Sequence, residues 1–221
     1  MNDYDYLRFL IYLTILNDDK NERTRTIRDL SASWQGSTLP KERRALLVDV
    51  VAFALMPNHF HLLLQQKQEG GISKLMQRLN TAYTMYFNEK YARSGVLFQG
   101  RYKCKEVDSE DYLLHLINYI HLNPLDIVES GWEERGIRNM HKTKDFLEKY
   151  RWSSYQDAIG VSNFPHTITL PLLRKQTGSP ATYKNFIEKW CLDDLEGISD
   201  LIFYDGYGRH GKVEPCQGAG G

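Results

Sequence analysis

Residues 46–65 constrain this chain more than any other stretch. Two apolar runs, Leu46–Leu55 and His59–Gln65, flank the connection Met56-Pro57-Asn58. Proline and asparagine suit tight turns, the first by presetting one dihedral and the second by tolerating turn backbone. The first run is rich in valine, which favours a buried strand. Two strands joined across so short a connection pair antiparallel. The second strand carries His59-Phe60-His61. Alternate side chains of a strand share a face. Both imidazoles are therefore expected on one side of the hairpin, with Phe60 on the other. Two neutral imidazoles so placed can ligate one divalent metal. A His-x-His pair alone is more often incidental, so its meaning rests on what the fold brings near it.

A helix is expected from about Asp3 to Leu16, with a continuation towards Trp34 and a break at Gly36–Pro40. Over Ser73–Tyr91, Leu75, Met76, Leu79, Ala82, Tyr83 and Tyr86 recur at three- and four-residue spacing and form one helix face. Val96–Val107 alternates loosely and reads as a strand or extended arm. Ser109 is a good N-cap, followed by Glu110 and Asp111 in the first turn. The helix it opens should end near Leu122, because Pro124 disfavours helical geometry at Asn123. The order helix, strand, strand, helix, strand, helix implies a mostly antiparallel α+β domain. Later signals are weaker: a short helix or turn at Trp152–Tyr155, small helices over Leu170–Gln176 and Pro180–Trp190, and a glycine-rich tail from Tyr204.

The chain has 28 basic and 28 acidic residues, so its formal net charge is zero. The distribution is uneven. Ile72–Lys105 holds Lys74, Arg78, Lys90, Arg93, Arg101, Lys103 and Lys105 against Glu89 alone. Glu106–Glu134 then holds eight acids and no Lys or Arg. A local cationic excess matters more to a phosphate backbone than the total does. No apolar run approaches the roughly 18 residues of a membrane span. The start, Met1-Asn2-Asp3-Tyr4-Asp5, lacks the basic segment and apolar core of a secretion signal. Cys104, Cys191 and Cys216 are widely spaced and odd in number, which argues against a disulfide framework and for the cytoplasm. Cys104 reads as a small packing residue. The cysteines make no zinc pattern with His59 and His61.

A second motif lies in Asp111–Pro124. His115, Tyr119 and Asn123 are four apart and share one helix face. A tyrosine hydroxyl can attack a phosphodiester, though as a neutral phenol of pKa about 10 it is a weak nucleophile. A metal on the scissile phosphate would stabilise the developing charge. Asn123, one turn beyond Tyr119, can add an amide oxygen to two imidazoles while leaving positions open for phosphate and water.

Met56–Leu64, Leu97-Phe98-Gln99-Gly100-Arg101-Tyr102-Lys103, Tyr119-Ile120-His121-Leu122-Asn123-Pro124 and Trp152-Ser153-Ser154-Tyr155 stand in that order. Together they resemble the single-tyrosine transposases of the HUH endonuclease superfamily, closest to those associated with repetitive extragenic palindromes. The resemblance covers roughly Asp3–Tyr155. It implies a ferredoxin-like antiparallel sheet with helices on one face. It also implies cleavage of single-stranded or hairpin DNA with Mg2+ or Mn2+, through a 5′-phosphotyrosine and a free 3′-hydroxyl. Carried over, Tyr119 matches the nucleophile, His59 and His61 the metal ligands, and Asn123 the third ligand position. No role follows for His115 or His121. Lys74, Arg78, Arg93, Arg101, Lys103 and Lys105 are the expected phosphate contacts.

Such families usually begin with a strand and an arginine-glycine-asparagine turn, whereas this chain begins almost at the first helix. The missing first strand would expose sheet edges. The expected organisation is a transposase-like domain over residues 1–155 and a helical extension with a tail over 156–221. Whether the protein is a homodimer, and whether Tyr119 serves its own histidines or a partner's, stays open. The alternatives are a non-catalytic, domesticated or truncated DNA binder and, more remotely, a metal-dependent hydrolase of small molecules.

Overall fold

The computed structural model describes residues 2–19 and 45–190. The expected continuation of the first helix to Trp34, the break at Gly36–Pro40 and the tail from Tyr204 lie outside these residues. The described chain forms two compact units, one of residues 2–19, 45–50 and 64–102, the other of residues 51–63 and 103–190.

The first unit holds α1 (Asp3–Ile15), the start of β1 (Val48–Leu55), the end of β2 (Phe60–Gln66) and α2 (Gly71–Lys90). A reciprocal cap opens α1. The Asn2 side chain accepts from the Asp5 amide at 3.2 Å, and the Asp5 carboxylate accepts from the Asn2 amide at 2.8 Å. The apolar faces of α1 and α2 meet, with Phe9 edge-on to Tyr83 at 5.2 Å. A β-carbon at Gly71 would collide with the Leu47 carbonyl, so only glycine lets α2 start this close to the strand. Asn17 lies against the start of β1, its side-chain amide pairing with both the N–H (3.0 Å) and C=O (2.9 Å) of Val48.

Asp5 is fully buried beside α2. Its carboxylate accepts from Lys90 Nζ at 2.6 Å, Tyr91 Oη at 2.7 Å and Tyr86 Oη at 3.0 Å. Burial alone would raise its pKa. The Lys90 ammonium, the two hydroxyls and the Asn2 amide outweigh burial and hold it at about 2.

In the second unit the hairpin closes when Met56 N–H donates to the His59 carbonyl at 2.8 Å. N–H groups along a strand point alternately to its two edges, so Phe53 and Leu55 address the edge away from β2. The segment 152–154 occupies that edge. Leu55 N–H donates to Trp152 O at 2.8 Å, Ser154 N–H donates to Phe53 O at 3.0 Å, and Ala54 forms an antiparallel bridge with Ser153. Thus the expected bare edge is covered here, by a segment that is not itself a named strand. Phe164 seals the spot, packed on Phe53 at 6.2 Å and Trp152 at 6.0 Å.

Then follow α3 (Glu110–Leu122), a 3-10 turn (Asn123–Ile127), α4 (Trp132–Arg135), α5 (Met140–Lys149), α6 (Tyr155–Ala158), α7 (Leu170–Thr177) and α8 (Pro180–Trp190). The Ser109 side chain caps α3 by accepting from the Tyr112 amide at 3.3 Å; α3 ends at Leu122 as expected, but Asn123 keeps helical dihedrals and the chain runs on into the 3-10 turn that holds Pro124.

Three expectations are corrected. No strand forms over Val96–Val107. Gly95 and Gly100 take positive φ angles of 86° and 96°, Val96 is 82% exposed, and the Gly100 amide turns back onto Phe98 O at 2.9 Å. Loose alternation supplies no partner edge. Secondly, α4 and α5 occupy a region whose sequence pattern gives no helix signal; Asn139 caps α5 by accepting from the Lys142 amide at 3.0 Å. Thirdly, Cys104 is disulfide-bonded rather than a packing thiol. The class is α+β. The order α1-β1-β2-α2 matches the inner half of a β-α-β-β-α-β arrangement, with both helices packed together.

Candidate active site

The second unit alone carries both histidines, the tyrosine and Asn123. His59 is the last residue of the turn rather than the first of β2, which begins at Phe60. The two imidazoles nevertheless stand side by side, ring centroids 4.9 Å apart and nearly perpendicular. Alternation puts them on one face, as the spacing predicts. His59 Nδ1 lies 2.7 Å from Asn58 Oδ1. With the proton on Nδ1, that bond holds the ring and leaves Nε2 as the unprotonated nitrogen. This is how outer-shell partners orient metal-ligating histidines. The Nε2 atom of His61 is shielded from water.

Tyr119 continues the row from α3, its ring 5.7 Å from that of His61 at 83°. The hairpin and α3 thus bring together three residues separated by about 60 positions of sequence. The phenol is half-buried.

Asn123 follows at the C-cap of α3, 5% exposed, with its N–H donating to the Tyr119 carbonyl. It lies about 6 Å further along the helix axis. Its side-chain amide makes no hydrogen bond to another described residue. Among the described residues no group of three or more His, Cys, Asp or Glu side chains could hold a metal. A metal at the two imidazoles would draw its further ligands from outside that set. An amide oxygen, a substrate phosphate and water are of that kind. The donor chemistry therefore fits a divalent ion with open positions.

His115 is exposed on α3. His121, to which the motifs give no role, is fully buried, with Nδ1 2.8 Å from Tyr183 Oη and Nε2 2.8 Å from Ser154 Oγ. Burial pushes its pKa down to about 3, so it is neutral.

The expected phosphate contacts divide between the units. Lys74, Arg78, Arg93 and Arg101 belong to the first, Lys103 and Lys105 to the second. Lys74 and Arg78 pair with Asp19 at 2.5 and 3.4 Å, and Arg78 also donates to the carbonyls of Leu16 and Asp18. Arg93 lies over the Phe87 ring at 5.6 Å and Lys105 over Tyr112 at 4.5 Å. Arg101 is exposed.

Residues 21–123 match the family described as transposase, IS200-like. That span contains His59, His61, Tyr119 and Asn123 and supports the resemblance at the level of the IS200-like family, while Trp152–Tyr155 lies beyond it. No curated protein and no solved structure matches the chain.

Proposed function

We propose that this chain, similar over residues 21–123 to IS200-like transposases, is a metal-dependent endonuclease and strand transferase acting on single-stranded or hairpin DNA, with Tyr119 as nucleophile. The observation that carries the reading is the row His59, His61, Tyr119, with ring separations of 4.9 and 5.7 Å within one chain. His59, His61 and the amide oxygen of Asn123 would hold Mg2+ or Mn2+. Such an ion supplies Lewis acidity at the scissile phosphate and stabilises charge developing there.

The chain's own residues do the rest. Tyr119 Oη forms a bond to phosphorus as the P–O3′ bond breaks. The phenolic proton is lost to solvent, and the departing oxygen takes up a proton as a free 3′-hydroxyl. The 5′-phosphate stays on Tyr119. One phosphodiester replaces another, so attack by a 3′-hydroxyl reverses the step without an energy source. The edge-on ring of His61 limits the swing of the phenol and keeps it near the metal ligands.

The cations Lys74, Arg78, Arg93, Arg101, Lys103 and Lys105 contact phosphates, Lys74 and Arg78 while also holding Asp19. Tyr119 acts beside its own histidines, so a homodimer would pair two complete sites. The transposase-like function is assigned to residues 1–155, with α7 and α8 among the described residues that follow. No helix among the described residues is long and apolar enough to cross a membrane. The substrate places the protein in the cytoplasm, at the nucleoid.

A hairpin oligonucleotide labelled at its 3′ end tests the reading. With Mn2+, label should migrate with the protein on a denaturing gel, and Tyr119→Phe should abolish that band while leaving binding intact. A persisting band in the Phe variant overturns the assignment of the nucleophile.

A further inference from the structure

His121 sits at the middle of a chain of buried polar groups that begins on α3. His121 Nδ1 meets Tyr183 Oη at 2.8 Å, and Tyr183 Oη meets Asn118 Oδ1 at 3.0 Å. His121 Nε2 meets Ser154 Oγ at 2.8 Å, and Ser154 Oγ accepts from the Phe53 amide at 2.9 Å. Every member is buried. With the Asn118 amide oxygen facing Tyr183, Tyr183 donates to it, and a neutral His121 donates from Nδ1 to Tyr183 and accepts at Nε2 from Ser154. The chain thus links α3 to α8 and β1 through hydrogen bonds.

Its geometry matters because of what lies across the helix. Asn118 and His121 are three residues apart and share the inward face of α3. Tyr119 is two residues from His121, about 200° around the helix. The other inward contacts of this turn are Ile117, Ile120 and Leu122. Apolar contacts are non-directional and tolerate rotation of a helix about its axis. Buried hydrogen bonds do not, since misalignment leaves desolvated partners at about 1–3 kcal/mol each.

We propose that His121 and Ser154 are positioning residues, locking the rotation of α3 against β1 and α8 so that Tyr119 is presented to His61. The inference rests on the functional reading above for its consequence, though not for its geometry. A displacement of about 1 Å at a reacting group can cost about 100-fold in rate.

His121→Leu is the informative variant. Tyr183 still donates to Asn118, and Ser154 can donate to the Phe53 carbonyl 3.2 Å away. No donor is stranded beyond Asn118 Nδ2, which lacks a partner in the parent too, so the fold is retained while the lock is lost. With 3-fluorotyrosine at position 119, the parent should give one fluorine resonance, which His121→Leu shifts or splits. Adduct formation at saturating hairpin DNA should slow by about tenfold or more with unchanged affinity. His121→Gln, which offers one donor and one acceptor, should restore both. Ser154→Ala cuts the link to β1 from the other side and should shift the same resonance, which covers failure of the leucine variant to fold. An unmoved resonance, or an unchanged rate, overturns the proposal. If the resonance responds but the parent forms no adduct with DNA, the positioning stands and the nuclease reading falls.

Discussion

Asp5 is a carboxylate with no exposure to water, held ionised by Lys90, Tyr91 and Tyr86. Its pKa in the fold is about 2 against an ordinary value of 3.8. The folded chain thus binds this proton more weakly than the unfolded one. The stabilisation is complete above about pH 4 and is lost as pH falls towards 2. Asp5→Asn should cost roughly 1–3 kcal/mol at pH 7, the scale of a set of charged hydrogen bonds. Thermal melts at pH 7 and pH 2 check it: the gap between variant and parent should close at the lower pH. At the candidate site, Asn58 fixes the His59 ring. Asn58→Ala should weaken Mn2+ binding about 10- to 100-fold, measured by titration calorimetry, and unchanged affinity would refute that role. His59, His61 and Tyr119 are legible as residues because their spacings are local. Asn118, Ser154 and Tyr183 are not, since Ser154 and Tyr183 reach His121 across 33 and 62 positions.

Among elements, α3 carries most of the consequence. A serine cap opens it, a 3-10 turn follows it, and it carries Tyr119 and His121 on opposite sides. Ser109→Ala should destabilise the protein by about 1 kcal/mol by stripping the cap from the Tyr112 amide. A chemical denaturation midpoint reads this directly. The caps and periodicities that make α1, α2, α3 and the hairpin readable are all properties of short windows. What covers the outer edge of β1 is not such a property. Ser154 lies 101 positions from Phe53, and nothing local marks Trp152-Ser153-Ser154 as an edge partner. Conversely, the alternation over 96–107 looks like a strand although the left-handed Gly100 interrupts it. Alternation describes which faces are apolar; strand formation also needs an open edge to bond.

At the scale of the molecule, the family match over residues 21–123 reaches into both compact units, while the candidate site lies wholly in one. The zero net charge means that any DNA affinity comes from local cations and must fall with salt. Arg101→Ala should lower the slope of log affinity against log salt by about 0.7 for each single-strand phosphate it no longer neutralises. Binding isotherms at several salt concentrations would show it. The central claim concerns one oxygen atom. A covalent complex with hairpin DNA, trapped in Mn2+, can be digested with trypsin and its nucleotide-bearing peptide fragmented by mass spectrometry. The peptide spanning residues 106–135 should carry the phosphate on Tyr119. Phosphate on Tyr112 within that peptide, or on a tyrosine elsewhere, would contradict the account.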